Sequence, residues 1–236
     1  MELHPNTDPL STYFCRINEV EGWLRFNSLK ISIALMETQP TGNLCEIGVH
    51  HGRYFIGLAL ALKKGEKALA VDLFSRQDEN IDGSGKGNKD IFLHHVKTFL
   101  PDPSIVDAIE ANSLEVTPDR ILKYGPIRFF SVDGGHNSRA VVNDLHLAES
   151  SISTEGIVSL DDILNPHWTG VITGYVAYRD SGGTLCPFAL IPGKLLLCRE
   201  DQAMHYRALL LDRCKASCER LNVEFFGAYV DVYGLT

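Results

Sequence analysis

Asp133, His136, Asp161 and Asp162 are the residues of this chain whose types and spacing are best suited to chemistry. Asp133 follows the apolar run Ile127-Arg128-Phe129-Phe130-Ser131-Val132, and Asp161-Asp162 follow Gly156-Ile157-Val158-Ser159-Leu160. Each run is short, mostly apolar and bounded by turn formers, so each reads as a buried strand. One amphipathic helix near 138–152 lies between them and has the length a parallel crossover needs. Three carboxylates therefore fall at the carboxyl ends of two parallel strands, the edge at which open α/β sheets bind ligands. Clustered carboxylates repel one another unless a cation or shared protons offset the charge. A hard divalent metal held by Asp133, Asp161 and Asp162 is the economical explanation.

A second constellation lies upstream. Cys45-Glu46-Ile47-Gly48-Val49-His50-His51-Gly52-Arg53 closes one strand and opens a helix, and glycines at such a turn let a ligand approach the backbone while the helix offers unpaired amides. The spacing is E-x-G-x-x-x-G rather than the GxGxxG of a dinucleotide site, which disfavours a pyrophosphate ligand. The next strand ends in Asp72, 20 positions beyond Gly52. A carboxylate there can accept both hydroxyls of a ribose, although a strand-end Asp can also simply cap its own loop. Turn and acid together favour a nucleoside site. Asn112-Ser113, after the third strand, stands where polar loop groups can meet an adenine edge.

The elements that must position these residues follow from the hydrophobic pattern. Leu10, Phe14, Ile17, Val20, Trp23, Leu24, Phe26 and Leu29 recur at mainly helical spacing, and Pro40-Thr41-Gly42 breaks the pattern, giving a helical N-terminal extension over 1–42. From Asn43 onward strand-like runs at 43–47, 67–72, 105–109, 127–132 and 156–160 alternate with helix-like ones at 53–64, 89–100, 115–123 and 138–152. Right-handed crossovers then predict a Rossmann-like, doubly wound, mostly parallel α/β sheet over 43–236. Beyond Asp162 the rhythm changes. A Pro- and Gly-containing segment at 165–183 with a short helix precedes a run at 194–198, a helix near 201–220 and a terminal strand at 224–233, read as antiparallel at or near the sheet edge.

Composition bounds the alternatives. A net charge of -8 argues against a nucleic-acid surface, because neutralising phosphates needs clustered Lys and Arg. No apolar run approaches the roughly 20 residues of a spanning helix, and Met1-Glu2-Leu3-His4-Pro5 has neither a basic nor an apolar leader region. The six cysteines are scattered without a CxxC pair, so reduced thiols and a cytoplasmic location are expected.

On these residues the chain resembles the class I S-adenosylmethionine-dependent methyltransferases: Glu46-Ile47-Gly48 through Gly52 is similar to their first motif, Asp72 to their ribose acid, and Asn112-Ser113 to the polar turn after the third strand. More narrowly, Val132-Asp133-Gly134-Gly135-His136 with Gly156 to Asp162, and the following Pro166-His167-Trp168-Thr169-Gly170-Val171, resemble the metal-dependent small-molecule O-methyltransferases of the macrocin and mycinamicin sugar type. Catechol O-methyltransferase is a more distant likeness. The resemblance implies S-adenosylmethionine bound by Glu46, Gly48, Gly52, Asp72, Asn112, Ser113 and Asp133, and Mg²⁺ or another divalent cation on Asp133, Asp161 and Asp162. The acceptor is then a hydroxyl of a small molecule such as a sugar, polyketide or catechol-like vicinal diol.

Two departures matter. The catechol enzymes carry a lysine base three places after the first metal acid, where this chain has His136, and a glycine often found midway through the first motif is replaced by His50. An imidazole with an ordinary pKa of about 6.5 takes a hydroxyl proton near neutral pH, yet a loop histidine can equally orient a carboxylate. The glycine-rich loop 81–89 reads either as a lid, with Lys86 and Lys89 reaching an acidic substrate group, or as a solvated loop. His167 and Trp168 are candidates for one wall of an acceptor pocket. The competing functions are a metal-dependent hydrolase or lyase using the same acids, and a nucleoside-binding protein without turnover. A homo-oligomer in which the lead-in packs on a twin subunit and a monomer in which it covers its own site are both compatible with the pattern.

Overall fold

Strands with both faces apolar must be covered by helices on both sides, and the chain meets that demand with one nine-stranded sheet. The computed structural model describes residues 8–234; Met1–Pro5, read above for leader features, lies outside the described residues. Five parallel strands, β1 (Asn43–Ile47), β2 (Ala68–Asp72), β3 (Val106–Glu110), β4 (Ile127–Val132) and β5 (Ile152–Asp161), are joined by helices α3 (Arg53–Ala59), α4 (Lys89–Phe99), α5 (Pro118–Leu122) and α6 (Ser138–Ser151). After α7 (Thr169–Asp180) come β6 (Cys186–Ile191), β7 (Lys194–Cys198), α8 (Ala203–Arg213), β8 (Cys218–Phe225) and β9 (Ala228–Tyr233). The spatial order is β3-β2-β1-β4-β5-β7-β6-β9-β8. The chain reverses its direction of winding between β1 and β4, and the carboxyl ends of those two strands flank the switch-point crevice.

The C-terminal third departs from the expected pattern in three places. The segment at 165–183 carries the full helix α7 rather than a short one, and β6 follows it. The helix expected near 201–220 stops at Arg213, and residues from Cys218 join the sheet. The run read as one terminal strand is a hairpin: Phe226 and Gly227 both have positive φ (48° and 80°), as a tight turn between twisted strands requires. Its β9 runs parallel to β6 and antiparallel to β8, while β7 runs antiparallel to β5.

Alternate residues along the strands feed two cores. Leu44, Phe129 and Leu196 face a cluster with Phe55, Phe92 and Tyr206, whereas Cys45, Phe130 and Leu197 face one with Leu145, Tyr175 and Tyr178. The N-terminal helices α1 (Pro9–Arg16), capped by the Asp8 carboxylate on the Ser11 amide, and α2 (Phe26–Met36) belong to the first cluster. Tyr13 donates its hydroxyl hydrogen to the Arg53 carbonyl at 2.5 Å, tying α1 to the start of α3.

Among the described residues, one ion pair has both side chains wholly inside this packing. Arg128 on β4 is 1% exposed, and its guanidinium reaches Glu66 at 2.7 Å as well as the carbonyls of Met36, Gly42 and Ala61. Glu66 in turn accepts from the amides of Gly42 and Lys63 at 2.8 and 2.6 Å. Burying a charge is costly unless it is paired and hydrogen-bonded, and here the pair ties α2, the start of β1 and the segment after α3 to the underside of the sheet.

Candidate active site

The glycine turn after β1 is shaped by contact with β4. Gly48 has φ 85°, and a Cβ placed there would lie 1.8 Å from the Asp133 carbonyl oxygen. The two strand ends touch backbone to backbone, which only glycine allows. Gly48→Ala is therefore expected to push β1 and β4 apart and cost roughly 2–4 kcal/mol, combining strain at positive φ with overpacking; a drop in the thermal unfolding midpoint would register it. Gly52, with φ 95°, precedes α3, which is seven residues long rather than the twelve expected from 53–64.

Glu46, next to last in β1, and Asp72, at the end of β2, face one cavity of about 970 Å³. Glu46 is 1% exposed; its Oε1 accepts from Ser131 at 3.2 Å, and its Oε2 has no partner among the described residues. Burial pushes its carboxyl up to about 8. Asp72 accepts one amide on each oxygen, from Phe74 at 2.7 Å and from His50 at 2.8 Å, and both donors have positive φ. It thus performs the loop-capping role while each oxygen keeps a second lone pair for a ligand. His50 supplies one of those amides through its backbone, while its ring lies 5.7 Å from the Trp23 ring. Asn112 and Ser113 line the cavity, but the Asn112 amide is already committed, accepting from the Leu114 amide at 3.1 Å and donating to Glu79 at 3.0 Å.

The acids after β4 and β5 converge differently from the expected trio. Donor atoms of Asp133, His136 and Asp162 all lie within 4.8 Å of one another. Asp161 is not in that group. Its Oδ2 is held by Lys194 at 2.8 Å, because β7 runs antiparallel beside β5 and pairs Lys194 directly with Asp161. Lys194 is 3% exposed and lies over the Tyr54 ring, 4.3 Å from its centroid. Burial opposes its charge, but Asp161 and Asp133 outweigh that and raise its pKa. Asp133 is held far above the carboxylate range by burial and by the adjacent Asp161, with Lys194 opposing.

His136 is fixed on several sides. Its Nε2 lies 3.3 Å from Asp162 Oδ2, its Nδ1 lies 3.1 Å from Asp82 Oδ2, and its ring stacks on Trp168 at a centroid distance of 4.4 Å. Burial works against its charge, yet the hydrogen bond to Asp162 and the charge of Asp82 prevail and raise its pKa. Asp162 has φ 58°, and Asn165 donates to its other oxygen at 2.9 Å.

The rest of the wall comes from separate segments: Trp23 and Arg25 from the N-terminal region, 81–85 from the glycine-rich loop, and His167 and Trp168 after β5. Lys86 and Lys89 do not line the cavity, and Lys89 stands 3.8 Å from Glu110 instead. Lys194, Asp82 and Trp23 line the site although the sequence pattern marks them only as part of an apolar run, a glycine-rich loop and a helical repeat. The only local signal for Lys194 was the Pro192-Gly193 turn ahead of an apolar strand.

A switch-point crevice bounded by a glycine turn, a strand-end acid and a cluster of acids with an imidazole defines a Rossmann-like methyltransferase fold. The model of a family described as a methyltransferase domain matches residues 45–163, and the chain belongs to that family. Solved structures similar to it include an O-methyltransferase from Bacillus cereus in complex with SAH (15% identity, 84% of this chain and 93% of that chain, TM-score 0.59). TomG, an O-methyltransferase from Streptomyces achromogenes involved in tomaymycin synthesis and solved with SAM, is 14% identical over 84% of this chain and 92% of its own (TM-score 0.58). CalS11, a TDP-rhamnose 3'-O-methyltransferase of calicheamicin biosynthesis, is 18% identical over 74% and 80% (TM-score 0.53). At these identities the likeness is one of fold. No curated protein sequence matches the chain.

Proposed function

We propose that this protein transfers the methyl group of S-adenosylmethionine to a hydroxyl of a small vicinal diol, such as a sugar, polyketide or catechol, with a divalent cation assisting. The observation that carries this reading is the convergence of Asp133, His136 and Asp162 in the same cavity as the Gly48 turn and Asp72. The cavity lies at the upper end of ligand-site volumes, about 300–1,000 Å³, and has room for a donor and an acceptor.

The residues fit a sulfonium amino-acid nucleoside. Glu46 leaves one buried carboxylate oxygen unpartnered, which suits the donor's ammonium group, and Asp72 keeps lone pairs for ribose hydroxyls. They also fit a hard cation, since the Asp133 and Asp162 carboxylates converge and Asp133 stands beside Asp161, a crowding of negative charge that a cation would relieve. Asp133 and Asp162 would hold it, with His136 at the edge of the set. Asp161 enters through Lys194 rather than as a direct third ligand. When bound, such an ion acidifies a coordinated hydroxyl and orients it.

Within the chain, His136 Nε2 accepts the acceptor's proton, Asp162 faces the same nitrogen, and the Gly48 turn sets the donor's depth. Buried walls of Val49, Ile47 and Tyr54 keep water from the sulfonium. Calorimetry with S-adenosylmethionine, with and without Mg²⁺, followed by mass spectrometry over catechol and methyl rhamnoside, tests the reading. Donor binding and a product 14 mass units heavier (roughly one CH₂, as methyl transfer requires) are expected. Failure of the donor to bind under either condition would overturn it.

A further inference from the structure

His136 does not owe its orientation to its own strand end alone. The Asp82 carboxylate, 54 residues away in the glycine-rich loop, meets it twice: Oδ2 accepts from the His136 backbone N–H at 2.6 Å and lies 3.1 Å from ring Nδ1. The other oxygen is also occupied, accepting from the Ser84 amide at 2.9 Å and from its hydroxyl at 2.5 Å. Asn80 braces the same loop by donating to the Ser84 carbonyl at 2.6 Å and accepting from the Gly83 amide at 3.1 Å. Asp82 and His136 are both largely shielded, with side chains 14% and 11% exposed. Trp168 closes one ring face at an interplanar angle of 22°, and the start of α7 abuts the His136 carbonyl so closely that a Cβ on Gly170 would lie 2.1 Å from it.

We infer that Asp82 is a positioning residue for the proton acceptor: it holds the Nδ1–H tautomer of His136, so that Nε2 presents its lone pair to the acceptor hydroxyl beside Asp162. The inference rests on the methyl-transfer reading above. A carboxylate only accepts, and both ring nitrogens face one, but Asp82 Oδ2 lies closer to Nδ1 (3.1 Å) than Asp162 Oδ2 does to Nε2 (3.3 Å) and is locked in place by the His136 backbone N–H, so in the neutral ring it is Nδ1 that keeps the hydrogen. In transfer, the acceptor O–H proton goes to Nε2, the new C–O bond forms from the oxygen electron pair, and the C–S bond breaks with its pair retained by sulfur. The result is the methyl ether, S-adenosylhomocysteine and an imidazolium. That imidazolium is doubly hydrogen-bonded, to Asp82 and Asp162, which matches the arrangement in the structure. The proton acceptor is therefore assembled from two segments, and it is complete only when residues 81–85 are seated on the cavity.

The test uses full-length protein labelled with ¹⁵N-histidine, saturated with S-adenosylhomocysteine, in wild-type, Asp82→Asn and Asp82→Glu forms. Above the His136 titration the wild-type ring is expected in the Nδ1–H form. Asp82→Asn is expected to shift it toward Nε2–H, and Asp82→Glu to retain the wild-type form in part. In parallel, methyl transfer to the fastest acceptor of the catechol and rhamnoside pair should fall about 10²- to 10³-fold in kcat for Asp82→Asn, with the acceptor KM and donor affinity within about threefold. A His136 ring whose tautomer is the same in wild type and Asp82→Asn would overturn the inference. If Asp82→Asn also retains its kcat while His136→Ala is inactive, only the positioning role is lost. If His136→Ala itself keeps kcat within threefold, the proton-acceptor reading fails, and this inference with it.

Discussion

His136→Ala lowers kcat by about 10²- to 10⁴-fold while S-adenosylmethionine binds within a few fold of wild type: this is the result expected if Nε2 takes the acceptor's proton. The imidazole faces Asp162 at 3.3 Å, where the proposal places the acceptor, whereas Glu46 and Asp72 mark where the donor is expected. Removing it should therefore leave donor calorimetry nearly unchanged and reduce turnover. The pH profile supplies an independent check. Asp162 and Asp82 favour the imidazolium and raise the His136 pKa above its ordinary value of 6.5, and a proton acceptor must be neutral. Activity should accordingly be low at pH 6.5 and rise as pH climbs through the raised pKa. An acid limb below 6.5, or one unchanged in His136→Ala, would assign proton removal to another group.

Glu66→Ala is expected to destabilise the fold by about 3–5 kcal/mol, since it leaves the Arg128 guanidinium buried without its counterion. The two side chains are 1% and 0% exposed, so solvent screening gives no relief. The loss extends beyond one ion pair because Glu66 also satisfies the amides of Gly42 and Lys63. Chemical denaturation would show a lower midpoint with little change in slope. The double variant Glu66→Leu with Arg128→Met should recover part of the loss, because neither charge then remains to be solvated. A Glu66→Ala protein within 1 kcal/mol of wild type would mean that water reaches Arg128.

Much of this site was legible because its chemistry sits where apolar runs stop. Asp133, Asp161, Asp162 and Asp72 each end or follow a strand, and Glu46 is next to last in one, all in strands whose length and composition are readable locally, and the sheet order then brings them to one edge. What was not legible depends on contacts across the sheet or across long loops. Lys194 opens the apolar run Lys194 to Cys198, and nothing local announces that an antiparallel β7 will set it beside Asp161. Asp82 reaches His136 only through the shape of a loop whose residues promise flexibility more than any definite geometry. The strand β6 is hidden in the sequence because Pro187 breaks its pattern; the ladder accommodates it with a register shift between Pro187 and Ala189. The terminal hairpin is masked because its turn begins with Phe226, a bulky residue that seldom takes positive φ.

The chain has two tryptophans, and both border the cavity: Trp23 is 79% exposed at its rim, and Trp168 is stacked on His136 within it. Its intrinsic indole fluorescence therefore arises entirely from the walls of one crevice. Filling that crevice alters the surroundings of one fluorophore or the other, and an imidazolium beside Trp168 acts as a quencher of its emission. The protein thus carries an optical reporter of its own occupancy, with no label attached.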